Sequence, residues 1–189
     1  NLAREAGFDA VEIHAGHGYL ISQFLSPYTN RRKDCFGGSL ENRMHFMDMV
    51  MQEVMKAAGT DMAVLVKVNM RDGFRGGMEM DETMQVAKRL EQSGAHALVL
   101  SGGFVSKAPM YVMRGQMPIH SMTHYMNCWW LKYGVRMVGK WMIPTVPFKE
   151  AYFLEDALKF RAEIKMPLVY VGGLVSREKI DEVLNDGFA

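Results

Sequence analysis

Apolar residues along this chain follow two rhythms. Four short runs are nearly continuously apolar and rich in β-branched side chains: Phe8–His14 (FDAVEIH), Ala63–Asn69 (AVLVKVN), Ala97–Ser101 (ALVLS) and Leu168–Val171 (LVYV). Such runs suit strands of a parallel sheet covered on both faces. Between them, apolar positions recur at helical spacing. Leu40, Met44, Met47, Met51 and Val54 form one stripe on a helix that Ser39 can cap and Gly59 can stop after Ala58. Asp81 can cap a second helix running through Val86 and Leu90 to Gly94; a third is predicted over Glu150–Ile164, and a fourth follows Ser176. Alternating strand and helix predicts a parallel α/β fold. Spacing alone does not choose between a closed barrel and an open, doubly wound sheet.

Both ends fall inside this rhythm. Asn1–Gly7 reads as the tail of a helix, Lys179–Leu184 as a helix closed by Gly187, and Phe188-Ala189 as the approach to another strand. The pattern predicts a segment of a longer protein. One stretch breaks the rhythm: Phe104–Phe148, about 45 residues that hold Tyr111, Tyr125, Trp129, Trp130, Tyr133 and Trp141 with many of the 18 methionines. A connection this long has a job or a structure of its own. It leaves the C-terminal end of a strand, so it reads as a lid or wall over a site; an outer helical excursion and a membrane or partner contact are the alternatives. Methionine fills irregular apolar surfaces, in a core as well as in a pocket.

Composition narrows the classes. With 189 residues, 49% hydrophobic and 23% charged, the chain can bury a sizeable core. Its 22 basic and 21 acidic side chains leave a net charge of +1, which gives no electrostatic case for nucleic acid or an anionic membrane. Cys35 and Cys128 are too few and too far apart for a disulfide framework or a cysteine zinc site, and this sparing use fits a reducing cytoplasm. There is no leader-like start, and Lys or Arg interrupts every apolar stretch short of ~18 residues, so no membrane span is expected.

Three strand ends carry a reactive residue or a glycine turn: His14–Gly18, Ser101-Gly102-Gly103 and Gly172-Gly173. In parallel α/β folds, sites form at these ends. His14 and His17 stand three apart on a turn relaxed by Gly16 and Gly18, so both imidazoles can face one spot. Two neutral imidazoles could donate hydrogen bonds to one oxygen and stabilise growing charge. They could instead ligate a metal, although no partner cluster is evident, or be ordinary buried histidines. Tyr19 adds a proton donor beside them.

The run EIHAGHGYLISQFLSPYTNRRKDCFGGSLENR resembles the signature of the old yellow enzyme family, the NADH:flavin oxidoreductases, over about thirty consecutive residues. Later strands at Val64–Asn69 and Leu168–Gly173 follow in the order that family has. The resemblance covers residues 1 to about 103, fails across 104–148 and resumes to 189. It implies part of an eight-stranded (β/α)8 TIM barrel, about four middle-to-late strand–helix units, with earlier strands and the eighth lying outside this chain. It implies FMN at the C-terminal mouth and NAD(P)H as co-substrate. His14 and His17 match the pair that binds the carbonyl or nitro oxygen of an activated alkene, and Tyr19 matches the proton donor to its α carbon. Lys67 matches a basic residue, commonly Arg, beside the flavin pyrimidine edge; a fixed cation there favours the reduced, negatively charged flavin, and Lys lacks the planar fork of Arg. Gly172 and Gly173 match the turn whose N–H groups hold the FMN phosphate. Asn30, Arg31, Arg32 and Asp34 with Gly37–Arg43 match a structural motif that locks a long loop onto the next helix.

The expected function is an FMN-dependent ene-reductase acting on a small α,β-unsaturated substrate, with no nucleic acid or metal and with homo-oligomerisation left open. The resemblance also admits dienoyl-CoA or steroid reduction and amine oxidation, some members carrying a 4Fe-4S cluster and FAD further C-terminal. A metal-dependent barrel hydrolase is the alternative outside the family. This chain alone is expected to be inactive.

Overall fold

The computed structural model describes residues 2–115, 118–142 and 145–189, with residues 140–142 described by their backbone alone. In chain order the elements are α1 (Leu2–Glu5), β1 (Ala10–Ala15), α2 (Leu20–Leu25), α3 (Leu40–Ala58), β2 (Ala63–Asn69), α4 (Met80–Gln92), β3 (Ala97–Ser101), α5 (Pro109–Met113), α6 (Ile119–His124), α7 (Trp129–Met142), α8 (Leu154–Glu163), β4 (Leu168–Tyr170) and α9 (Arg177–Asn185). Asn1, the first residue of the expected N-terminal helix, and the Trp141 side chain lie outside the described residues.

The four strands form one parallel sheet in the order β1-β2-β3-β4. This consecutive order, with α3, α4, α8 and α9 all packed on one face, is that of a barrel wall. A doubly wound sheet must reverse its strand order at some point, whereas a barrel adds each strand beside the last. The backbone of Ala189 continues the series: its N–H donates to Leu168 O and its carbonyl accepts from Tyr170 N–H, at 2.9 and 3.0 Å. The chain is thus part of a (β/α)8 barrel wall.

Successive strand residues point to opposite faces. Val66, Val68, Leu98, Leu100, Leu168 and Tyr170 pack under the helices against Met47, Met51, Val86, Leu90, Ala157, Phe160 and Val183. The alternate residues, among them Glu12, His14, Lys67, Val99 and Val169, take the inner face. That face is only partly covered on β1 and β2, as expected where four strands make up only part of a barrel. The inner layer of such a barrel is filled by side chains from several strands around its circumference. Among the methionines, Met44, Met47, Met51, Met70 and Met84 are core, while Met113, Met122 and Met137 are exposed.

Helix boundaries follow local chemistry, with two differences. Ser39 caps α3, its hydroxyl accepting from Asn42 N–H at 3.3 Å, and Gly59 ends it with φ +64°. Ser176 caps α9 in the same way, through Lys179 N–H. The helix α4 begins at Met80 rather than after Asp81, so Asp81 and Glu82 lie in its first turn, where carboxylates suit the helix dipole. The helix α8 begins at Leu154 rather than Glu150. The Glu150 carboxylate is drawn off to accept from Val175 and Ser176 N–H at the start of α9, and Ala151 turns the chain at φ +52°. The Asn30–Arg43 motif locks its loop: Asn30 Nδ2 donates to Phe24 and Phe36 carbonyls, Arg32 pairs with Asp34, and Arg43 joins Leu25 O to Glu82.

The 104–148 excursion contains α5, α6 and α7. Its start and finish are tied together by Gly115 N–H to Val146 O and by Tyr152 OH to Val112 O, both 2.6 Å. Arg114 stacks on the rings of Tyr111, Tyr152 and Phe153 at 4.4 to 5.5 Å. Among the described residues, no helix is long and apolar enough to cross a membrane.

The layering makes a clear prediction within one helix. Phe160, fully buried under the sheet, when changed to Ala should lower the unfolding free energy by about 3–5 kcal/mol. Leu158→Ala on the exposed side of α8 should cost about 1 kcal/mol or less. Urea titration of the two variants checks this, and equal losses would contradict the assignment of faces.

Candidate active site

At the C-terminal end of β1 the backbone must turn sharply to leave the sheet. His17 adopts φ +58° and Gly18 φ +82°, and Tyr19 N–H closes the turn on Gly16 O at 3.1 Å. A non-glycine residue in the left-handed region needs support. It comes from Asn69, whose Oδ1 accepts from His17 N–H at 2.9 Å, and from Val105 N–H, which donates to His17 O at 3.0 Å. The approach is tight: a Cβ on Gly16 would lie 2.7 Å from Asn69 Oδ1, and one on Gly18 2.5 Å from the Phe104 ring.

Asn69 and Asp72 form a buried polar knot below this turn. Asn69 Nδ2 donates to Asp72 Oδ1 at 2.9 Å and to Gly103 O at 2.8 Å. Asp72 Oδ2 accepts from the Ser26 hydroxyl at 2.6 Å and from Met78 N–H at 2.8 Å. Three strand-end loops and α2 are thereby joined through two side chains.

This support brings three expected site residues together. The His14 and His17 rings are 4.9 Å apart, centroid to centroid, and the Tyr19 ring is 4.8 Å from His14. Tyr19 is 55% exposed, open to a ligand above the strand ends. Lys67 lies opposite His14 in the β1–β2 register, with its Nζ 2.7 Å from the Glu12 carboxylate.

Hydrogen bonds assign the tautomers. His14 Nδ1 accepts from Gly16 N–H at 3.2 Å, so its proton sits on Nε2. His17 Nε2 is 2.7 Å from Ser101 Oγ. The Ser101 hydroxyl is buried, and His17 is its sole hydrogen-bond partner among the described residues; with that hydroxyl assigned as the donor, the His17 proton sits on Nδ1. Each ring therefore keeps one free N–H. Burial, followed by the nearby His14 and Lys67, pushes the His17 pKa down to about 4; burial and then Lys67 also lower that of His14. Both imidazoles are neutral at neutral pH. Among the described residues, no third His, Cys, Asp or Glu joins them in a metal-ligating group.

Gly172 and Gly173 lie at the same end of the sheet, after β4. Their lack of Cβ serves the chain itself: a Cβ on Gly172 would sit 2.6 Å from Tyr170 Oη, and one on Gly173 2.5 Å from the Tyr152 ring. The N–H groups of Val175 and Ser176 are occupied by Glu150. Those of Gly172, Gly173 and Leu174 have no partner among the described residues, and these three are the donors an anionic group could use. Sequence reasoning marked Ser101 by position but not by role, and missed Glu12, Asn69 and Asp72. The available signal was a second polar residue, an asparagine, ending a mostly apolar strand, a costly placement unless its amide is fully bonded.

A model of the NADH:flavin oxidoreductase / NADH oxidase family matches residues 1–126. The chain is 38% identical over 188 residues to a 4,4'-dithiodibutanoate disulfide reductase of Rhodococcus erythropolis, covering 99% of this chain and 46% of that one. It is 41% identical over 107 residues to an NADH oxidase of Thermoanaerobacter brockii, covering 57% and 16%. Both matches correct one expectation of extent: the family model continues to residue 126, and the reductase alignment runs through 104–148, so similarity does not stop at 103. The chain spans less than half the length of these curated relatives. In fold it superposes on a 2-naphthoyl-CoA reductase (TM-score 0.73, 22% identity, 97% of this chain and 23% of that one). An old yellow enzyme homologue from Zymomonas mobilis also superposes (TM-score 0.61, 23% identity, 98% and 41%).

The His17 environment predicts a pH dependence of stability. In the unfolded chain His17 takes up a proton near its ordinary value of 6.5, in the folded chain only near 4. Between these values the unfolded state binds more protons, so stability should fall as pH drops from about 6.5 to about 4 and level off below. The urea midpoint against pH measures this. His17→Asn should flatten the slope in that window; an unchanged slope would mean that His17 is not held neutral.

Proposed function

The chain belongs to the NADH:flavin oxidoreductase / NADH oxidase family, and from that premise we propose that it carries the substrate-polarising wall of an FMN-dependent, NAD(P)H-using oxidoreductase that reduces an activated, α,β-unsaturated small molecule. The carrying observation is the pair of neutral imidazoles, each with one free N–H, beside an exposed tyrosine. Two free cysteines support a reducing, cytoplasmic setting.

The donor set fits the cofactor. Lys67 on the inner face would hold the flavin's electron-rich edge, and the unpartnered N–H groups of Gly172, Gly173 and Leu174 would hold its phosphate. When bound, FMN supplies the hydride for the β carbon of the substrate. Because Glu12 pairs with Lys67, the cation acts as half of a neutral pair and its field on that edge is weaker than that of a free ammonium.

The remaining steps belong to this chain. His14 Nε2–H and His17 Nδ1–H donate to the substrate oxygen, and these bonds strengthen as negative charge grows on it. Neutral rings keep those protons while they stabilise the oxyanion. The Tyr19 hydroxyl gives its proton to the α carbon and recovers one from solvent. A second reading has one specific support, the alignment with the disulfide reductase along nearly the whole chain. Reducing an organic disulfide builds negative charge on sulfur rather than on a conjugated carbonyl oxygen, so the imidazole pair would matter less to it than to reduction of an enone.

In the full-length protein, replacing both His14 and His17 by Ala should weaken phenol binding and slow enone reduction. Loss of one preorganised donor costs about 2.7–4 kcal/mol at such a transition state, 10²–10³ in turnover. Flavin reduction by NAD(P)H, followed separately by stopped flow, should change less. Undiminished enone turnover would refute the proposal, and undiminished disulfide turnover alone would favour the second reading.

Tyr19→Phe removes only the hydroxyl. Enone reduction should fall while quinone reduction, which needs no carbon protonation, stays near wild type. Steady-state assays with the two substrates decide; a parallel loss on both would make Tyr19 a packing residue.

A further inference from the structure

The 104–148 excursion holds a feature that the chemistry of the site leaves unused. It carries Lys107, Arg114, Lys132, Arg136 and Lys140 and not one Asp or Glu, whereas the rest of the chain has 17 basic against 21 acidic side chains. The near-zero net charge of the whole chain conceals this local excess.

The helices α6 and α7 pack on each other through one side of α7. Arg136 Nε donates to Thr123 Oγ1 at 2.9 Å, and Gly139 lies close enough to Ile119 that a Cβ there would be 3.1 Å from its Cδ1. The other side of α7 presents Trp129, Trp130, Tyr133 and Met137 at 72, 64, 59 and 76% exposure. Their spacing places all four on one helical face. Tyr125 and Met122 from the end of α6 are exposed as well. A contiguous apolar face of this kind marks an interaction surface.

We propose that α7, with the end of α6, docks in the interfacial plane of an anionic lipid bilayer without crossing it. Three observations favour this occupant. Trp, Tyr and Met on one face, flanked by Lys and Arg with no carboxylate, is the composition of an interfacial helix. Indole and phenol rings settle at headgroup depth, and Lys132 and Arg136, half-buried against α6 through His124 O and Thr123 Oγ1, border that face with positive charge. A second copy of this chain fits poorly, because a two-fold contact would bring Lys132 and Arg136 of one copy toward the same cations of the other. Nucleic acid fits poorly too, because the centre of the face is apolar and the cations stand at its rim. Both anchors of the excursion, Val105 on His17 and Tyr152 on Val112, sit at the C-terminal end of the sheet, so the docking face belongs to the rim that carries the histidines.

The proposal stands apart from the flavin reading and is tested without turnover. Full-length protein is co-sedimented with vesicles of phosphatidylcholine, with and without phosphatidylglycerol, at low and high salt. Binding to the anionic vesicles, weakened by salt and accompanied by a blue shift of tryptophan emission, is expected. Trp129→Ala with Trp130→Ala should weaken partition about tenfold or more, and Lys132→Gln about fivefold. Met137→Glu, on the same exposed face, provides an independent variant. Circular dichroism melts of all three should match wild type. Protein that stays in the supernatant at low salt overturns the proposal, as does binding untouched by these substitutions. Equal or tighter binding to a DNA duplex overturns it, and so does self-association that the Trp129/Trp130 substitutions abolish while vesicles remain unbound.

Discussion

Everything at the strand ends depends on one buried amide. Asn69 accepts from the backbone of the His17 turn and donates to Asp72 and to Gly103, so one side chain fixes the loops that follow β1, β2 and β3. A buried amide left without partners costs about 1–3 kcal/mol per missing bond, so these loops hold one another in place. The same amide dictates a small residue at Gly16, because any Cβ there would strike it. The left-handed conformation of His17 is the price of aiming its ring at the mouth, and the Asn69 bond offsets it.

Above that knot, the proposed chemistry would draw on neutrality and orientation rather than on charge. The imidazoles are partly buried beside Lys67 and each other, and both effects oppose protonation. Ser101 and Gly16 each fill one ring nitrogen, which leaves one donor per ring. A cationic pair would bind anions in the ground state as well. A neutral pair makes its strongest contact only when a bound oxygen becomes negative, which is the condition for lowering a barrier. Glu12 extends this economy of charge to Lys67.

The excursion follows a different physical logic. Its ends are stapled to the barrel rim by backbone bonds and by the stack of Arg114 on three aromatic rings, while the outer side of α7 is exposed among the described residues. One border is held by the fold and the other faces outward. Strongly basic character is confined to this stretch, so electrostatics here separates one surface from the rest of the molecule instead of describing the molecule as a whole.

Local chemistry was legible in the sequence. The glycine stops at Gly59 and Gly187, the serine caps at Ser39 and Ser176, the alternation of strands and helices, and the turn that brings His14, His17 and Tyr19 together are each written in a few consecutive residues. What involved distant residues was not. The loss of the first turn of α8 to the start of α9 depends on which elements meet, and so does the strand order, although the family resemblance already implied the barrel. So do the tautomers: His17 finds Ser101 84 residues away, and Asn69 finds Gly103 34 residues away. Propensity and periodicity are properties of a window along the chain. The partner of a buried polar group is a property of the folded surface, and the tertiary structure alone supplies it.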